Sequence, residues 1–231
     1  MRIIVTHLTR MQPGYICVAG VDAATGGQVR PVLQGRLRTE LLVTQGGFLD
    51  MATLVDLGPV EPCGHPPEVE DHRFELRHAR ALGLVEGEAF WAALRTGAAT
   101  SLRHMFGPDL ERAGSGCAVR EGGGSASLGT LIPAAPPSLR LSAEGRLRLI
   151  VTDGALTVSL PVTDLRLFER DHVTPRRALV AEVATRLAGP APCLLCVGLT
   201  RPWQKPDESA PRHWLQVNNI HLRDRLAWRL E

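Results

Sequence analysis

Apolar residues in this chain come in short runs, each about the length of a strand, and turn residues cut off almost every run before it can become a long helix. Ile3-Ile4-Val5 opens the first. Residues 15–21 make a second, with Cys17, Val18 and Val21 apolar. The turn Asp22-Ala23-Ala24-Thr25-Gly26-Gly27 leads to 29–33, which Pro31 restricts to an edge or a short piece. Residues 51–57 read as a further strand. In the later part of the chain, Leu147–Thr152 and 156–160 flank Asp153-Gly154, a hairpin turn; 163–168 is a candidate third strand; Cys193–Leu199 and 213–222 close the sequence. Helical spacing appears twice. Phe90, Leu94, Ala98, Leu102 and Phe106 recur every four residues until Gly107-Pro108, and Thr174 with Pro175 opens a stripe of Leu179, Val180, Val183 and Leu187 that Gly189-Pro190 ends. No apolar stretch reaches the roughly 18 residues of a membrane-spanning helix, so no membrane association is expected.

Residues 114–138 are rich in Gly, Ala, Ser and Pro, including Gly122-Gly123-Gly124 and Pro133-Ala134-Ala135-Pro136-Pro137, and read as a linker or long loop. The halves on either side, 1–113 and 139–231, each have the size of a small domain. Both are mainly strand with one helical pattern. The expected class is mainly β with α (α+β), as two small barrel-like units each with an associated helix, rather than a doubly wound parallel sheet. The halves also echo each other. Ile-Ile-Val-Thr-His-Leu-Thr-Arg (3–10) and Leu-Leu-Cys-Val-Gly-Leu-Thr-Arg (194–201) both end an apolar strand in Leu-Thr-Arg.

The composition, 44% hydrophobic and 22% charged, excludes wholesale disorder. The run Ile3-Ile4-Val5 is too short for a signal peptide, and cysteines 17, 63, 117, 193 and 196 follow no disulfide-scaffold pattern; reduced thiols and a cytoplasmic location are expected. Lys205 is the only lysine among 26 cationic side chains. Guanidinium grips phosphate in bidentate fashion and stacks on flat rings, while lysine-dependent chemistry is confined to one position. Charge is segregated. Residues 1–40 carry five Arg against Asp22 and Glu40, 41–138 carry seven Arg against twelve acids, and 139–231 carry fourteen basic against ten acidic side chains. If the basic ends meet in space they form a surface that attracts phosphates. The acidic region 41–138 is a candidate surface for a protein partner.

The last strand is the most informative segment. Strict alternation places Trp214, Gln216 and Asn218 on one face, with Leu215 and Val217 on the other, continued by Asn219 and His221. An indole beside two amides can stack a base and hydrogen-bond its edge. Arg201 and Trp203 precede this strand, and arginines interleaved with aromatics suit single-stranded nucleic acid. The alternative is that Trp214 is core and the amides satisfy backbone groups. At the other end, Thr6, His7, Thr9 and Arg10 form a matching polar group, where hydroxyls and guanidinium can hold phosphate or simply brace a turn. Catalytic signals are sparse. Cys193 and Cys196 have redox or zinc spacing but lie in a strand, which points them to opposite faces. Cys63-Gly64-His65 with His72 lacks a second ligand pair. Pro206-Asp207 resembles the start of a nuclease signature without the lysine that should follow, and Asp171-His172 has no nucleophile motif around it. Phosphate-loop, Gly-x-Ser-x-Gly and His-Glu-x-x-His motifs are missing. No catalytic residue, metal or cofactor is expected.

Several stretches resemble the prokaryotic dual OB-containing domain family: Ile4-Val-Thr-His-Leu-Thr-Arg10, Gly14-Tyr-Ile-Cys-Val-Ala-Gly-Val-Asp22 with Arg30-Pro31, Leu160-Pro-Val-Thr-Asp164, Val197-Gly-Leu-Thr-Arg-Pro202 and His213-Trp-Leu-Gln-Val-Asn-Asn-Ile-His221. The resemblance spans nearly the whole chain. It implies two OB-like barrels that bind nucleic acid or nucleotides, in the setting of bacterial conflict or defence systems, with no catalytic residues to carry over. The acidic helical stretch from about 68 to 110 departs from a minimal OB barrel. The leading expectation is a module binding single-stranded DNA or RNA. Arg10, Arg30 and Arg201 would contact phosphates, with Thr6, His7, Thr9 and Thr200 beside them. Trp203 and Trp214 would stack bases, and Gln216, Asn218, Asn219 and His221 would read edges or sugars. The alternatives are a sensor whose Thr-Arg turns cradle one nucleotide or small phosphorylated ligand, and a metal-dependent nuclease using His7, His221 and nearby acids.

Overall fold

A computed structural model describes residues 1–206, 208–225 and 228–230. In chain order the elements are β1 (Arg2–Arg10), β2 (Ile16–Asp22), β3 (Gln28–Val32), β4 (Thr53–Asp56), β5 (Val60–Pro62), β6 (Asp71–Phe74), β7 (Arg80–Leu84), α1 (Gly87–Arg95), α2 (Leu102–Phe106), β8 (Glu111–Ala113), β9 (Gly116–Arg120), β10 (Leu128–Leu131), β11 (Ser138–Leu141), β12 (Leu147–Thr152), β13 (Thr157–Pro161), α3 (Arg177–Leu187), β14 (Cys193–Leu199) and β15 (Arg212–Leu222). The chain is mainly β with α, with a curled half-barrel sheet and a few helices. One sheet runs β5-β6-β3-β2-β1-β4-β7, a second β10-β14-β15-β9-β8, and a third β11-β12-β13. Pairing is antiparallel except for β3 against β6. Among the described residues no helix is long and apolar enough to cross a membrane.

β14 shows why these sheets share a centre. Its run Cys-Leu-Leu-Cys-Val-Gly-Leu is apolar at nearly every position, as expected of a strand covered on both faces. Leu195, Val197 and Leu199 enter the core built with β12, β13 and α3. Leu194 and Cys196 enter the other core, with Ile3, Val5 and Leu8 of β1 and Phe90 and Leu94 of α1. The two thiols therefore diverge, Cys193 packing on the first core and Cys196 in the second. Burial pushes them up to about 11 and about 12, which disfavours the thiolate that a metal or redox role needs.

Several local expectations change in three dimensions. The segment 114–138 contributes β9 and β10 to the sheet of β14 and β15, so its glycines punctuate short strands. The four-residue repeat over 90–106 splits into α1 and α2 because Gly97 takes a positive φ of 70° and Ala99 hydrogen-bonds to Thr130 and Ile132 instead. Residues 163–168 hold a single-turn 3-10 helix, Leu165–Leu167, where a strand was expected. There the Asp164 carboxylate caps Arg166 N and grips its guanidinium, both groups being fully buried. Thr174 does not cap α3. Its hydroxyl donates to Asp171, and the helix begins at Arg177.

Candidate functional site

β1 and β15 each carry a bulge, and the bulges decide where the polar side chains go. Pairing slips after Val5 in β1 and between Val217 and Asn219 in β15. One extra residue reverses the alternation beyond it. In β15, Leu215 and Val217 enter a core before the bulge, and Ile220 and Leu222 enter the same core after it. The strict alternation expected from sequence therefore fails at Asn218. Asn219 and His221 lie on the face of Trp214 and Gln216, turned toward β1.

That face completes β1. Only Arg2, Ile3 and Ile4 of β1 pair with β4, so the backbone groups beyond them on this edge need other partners. Asn219 supplies two: Leu8 N–H donates to its Oδ1 at 2.8 Å, and its Nδ2 donates to Leu8 O at 3.1 Å. His221 Nε2–H donates to Thr6 O at 3.0 Å, and Arg10 N–H donates to Thr163 O at 2.9 Å. Thr6 Oγ1 and His7 Nδ1 bond to each other. Thr6, His7, Asn219 and His221 are thus buried at the seam; Asn219 and His221 are committed to the main chain of β1, whereas Thr6 and His7 bond each other and His7 Nε2 has no hydrogen-bond partner among the described residues. Burial, helped by the charge of Arg30, lowers His7 to about 3, and burial holds His221 well below the ordinary imidazole range.

The other proposed site residues gather nearby. Thr9, Arg10, Arg30, Thr200, Arg201, Gln216 and Asn218 all line one cavity of about 490 Å³, together with Arg36 and Gln12. Both Leu-Thr-Arg segments open onto it, so the two basic ends of the chain do meet. Their charge is partly offset. Arg30 Nε bonds Asp71 Oδ1 and Arg201 Nη2 bonds Asp71 Oδ2, each at 2.5 Å, so one carboxylate links the arginines of the two halves. Arg201 Nη1 also lies 3.1 Å from Glu68 Oε1. Arg10 stacks 4.2 Å from the centroid of Phe168 and donates to His172 O. Gln216 Nε2 donates to Asn218 Oδ1 at 2.9 Å, making an amide pair on the wall. Gly198 packs close behind it: a Cβ there would stand 2.5 Å from Asn218 Nδ2, so the amide would have to move.

Trp203 and Trp214 lie around the corner. They line a second cavity, of about 550 Å³, with Lys205 and Arg148; Thr200 belongs to both. Trp214 is 7% exposed, its Nε1 donates to Trp203 O, and Lys205 Nζ sits 3.1 Å from the centre of its ring. Trp203 is 57% exposed.

Sequence reasoning missed Asp71, Glu68 and Arg36. The acids sat in the segment read as an acidic partner surface. Asp71 and Glu70 there are buried; Glu70 accepts from Ser127 N, Ser127 Oγ and Leu128 N. No periodicity marked them: the one apolar residue of Glu68-Val-Glu-Asp71, Val69, is the exposed one, and the adjacent Glu70 and Asp71 are buried. The Cys63 thiol and the His72 ring bond carbonyls of this same segment. Among the described residues no group of three or more His, Cys, Asp or Glu side chains could hold a metal ion. Asp171 accepts from Val173 and Thr174 and holds a turn, and Asp207 lies outside the described residues. No protein-family model matches the chain, and no curated protein does.

Proposed function

We propose that this protein binds a small phosphorylated ligand of the nucleotide class in the arginine-lined cavity between its halves. One observation carries the reading. Arg10, Arg30, Arg36 and Arg201 line a single cavity, and converging guanidinium groups suit a phosphate anion. Thr9 and Thr200 add hydroxyl donors on its wall, and the amide pair offers an edge to a sugar or base. The volume falls within the roughly 300–1,000 Å³ of small-molecule sites, which favour junctions between structural units. In this reading the halves are two OB-like units, as the family resemblance implies, and the ligand bridges them.

Single-stranded DNA or RNA is the second reading, favoured by the exposed Trp203 ring beside the same cavity. It has less support, because Asp71 and Glu68 leave a local set of donors in one cavity rather than the extended positive track a strand would follow. The nuclease alternative has less still, since His7 and His221 are buried at the seam.

A thermal-shift panel tests the proposal. Nucleoside mono-, di- and triphosphates and pyrophosphate are compared with a single-stranded homopolymer. At a hundredfold excess over Kd, a ligand that binds only the native state should raise Tm by about 5 °C. A shift with the homopolymer alone, disappearing between about 50 and 200 mM salt, would transfer the conclusion to nucleic acid. No shift with any phosphate compound would remove both readings.

A further inference from the structure

We propose that the second cavity receives the aromatic base of the ligand whose phosphates sit among the arginines, the base stacking on the Trp214 ring in the place Lys205 now takes. The inference rests on the nucleotide reading above and gives the ligand its orientation: phosphates on the Arg30 and Arg201 side, sugar across Thr200, base against indole.

Thr200 lines both cavities, so a ligand lying across it reaches each. Its own hydroxyl accepts Trp214 N–H at 2.9 Å, which fixes the start of β15 to the turn that carries Arg201. The arginine cavity has no tryptophan, and the second cavity has two of the chain's four. A nucleotide needs both kinds of surface, and here they adjoin.

The indoles are held for contact. Trp203 N–H donates to Arg212 O at 3.0 Å, and its carbonyl accepts from Arg212 N–H and from Trp214 Nε1. Its backbone is clamped while its ring remains more than half exposed, which leaves a flat apolar face open beside the cavity. The floor is firm: Arg148 is fixed by Ser115 and Ser159.

Lys205 acts as a tethered occupant. A cation over an indole and a base stacked on one are comparable in strength, so exchange of one for the other is close to balanced. The ammonium is not at ease there. Burial pulls Lys205 below its usual range, Glu208 opposes this, and Arg148 adds to it. A base arriving on the ring releases that ammonium into solvent.

The test compares two probes by titration calorimetry: adenosine 5′-diphosphate, with base and phosphates, and inorganic pyrophosphate, with phosphates alone. The ratio of their Kd values removes general effects of charge. In the wild type, adenosine diphosphate should bind about tenfold more tightly than pyrophosphate, the size of one stacked base. Lys205→Ala should widen that ratio by uncovering the ring. Trp214→Leu should bring it near one while pyrophosphate still binds. Lys205 is partly exposed and packs in no core, so its variant keeps the test decisive if Trp214→Leu does not fold. Equal affinities for the two probes in the wild type, or a ratio unmoved by Lys205→Ala, would overturn the inference and leave the phosphate site standing. Failure of both probes to bind would overturn the nucleotide reading itself.

Discussion

Asn219 takes the place of a strand neighbour for Leu8, and its weight follows from what its loss would leave behind. Asn219→Leu fits an apolar side chain into the seam but strands a buried N–H and a buried C=O of β1. Each unmade group costs about 1–3 kcal/mol, so a loss of about 2–4 kcal/mol is expected, seen as a lower urea midpoint with an unchanged m value. A loss under about 0.5 kcal/mol would mean that β1 finds other partners. Asp71 has a different role. Its bond to Arg30 is buried on both sides, whereas Arg201 is half exposed and contributes little to stability. Asp71→Asn should therefore cost about 3 kcal/mol, nearly all of it through Arg30. The same variant should bind pyrophosphate more tightly, because a carboxylate no longer competes for the two guanidinium groups. Weaker binding would show that Asp71 is needed to hold the arginines in place.

At the level of elements, the strands were legible where apolar runs stood between strong turn signals. Cys193–Leu199 and the hairpin at Asp153-Gly154 follow directly from sequence, because a short apolar run flanked by turns has few other ways to be buried. Three features could not be read that way. The bulges are one: the three-residue step from Val217 to Ile220 is the mark of the bulge in β15, and treating Thr6 and Asn218 as ordinary strand positions assigns the faces beyond them wrongly. Side chains that complete another strand's edge look like ligand groups, since Asn and His carry the same donors and acceptors for either purpose. Asn219 and His221 are of this kind, while Gln216 and Asn218, just before them in the same strand, do line the cavity. The third is Asp164. The short turn it caps reads as a strand because Leu165, Leu167 and Phe168 are apolar, and only the buried Arg166 pair shows why the chain turns there.

Across the whole molecule, the charge segregation of the sequence is largely undone by folding. The basic ends converge, and the acidic middle supplies Glu68 and Asp71 to them, so what remains is a local excess of donors in one cavity rather than a broad positive surface. The cores are shared in the same way, with Leu165, Leu194 and Cys196 packed among residues of the first half. The seam between the halves also buries two neutral imidazoles, which couples the joined structure to pH. His7 is depressed to about 3 by burial and then by Arg30; His221 lies well below its ordinary value through burial and then Arg166, with the Thr6 carbonyl acting in the opposite direction and His7 adding a smaller push. In the unfolded chain both titrate near 6.5. Above that pH neither state binds these protons and the full stability is present. Below it the unfolded chain takes up protons that the native seam refuses, so stability falls by about 1.4 kcal/mol per pH unit for each histidine, for His7 until the pH approaches 3. Urea midpoints should accordingly be level above pH 7 and drop steeply from about pH 6 toward 4.5. His221→Gln keeps an N–H donor for Thr6 O and cannot titrate, so it should lose about half of that slope while changing the neutral-pH midpoint little. A wild-type midpoint that stays flat down to pH 4.5 would mean that these rings are not sealed in the seam.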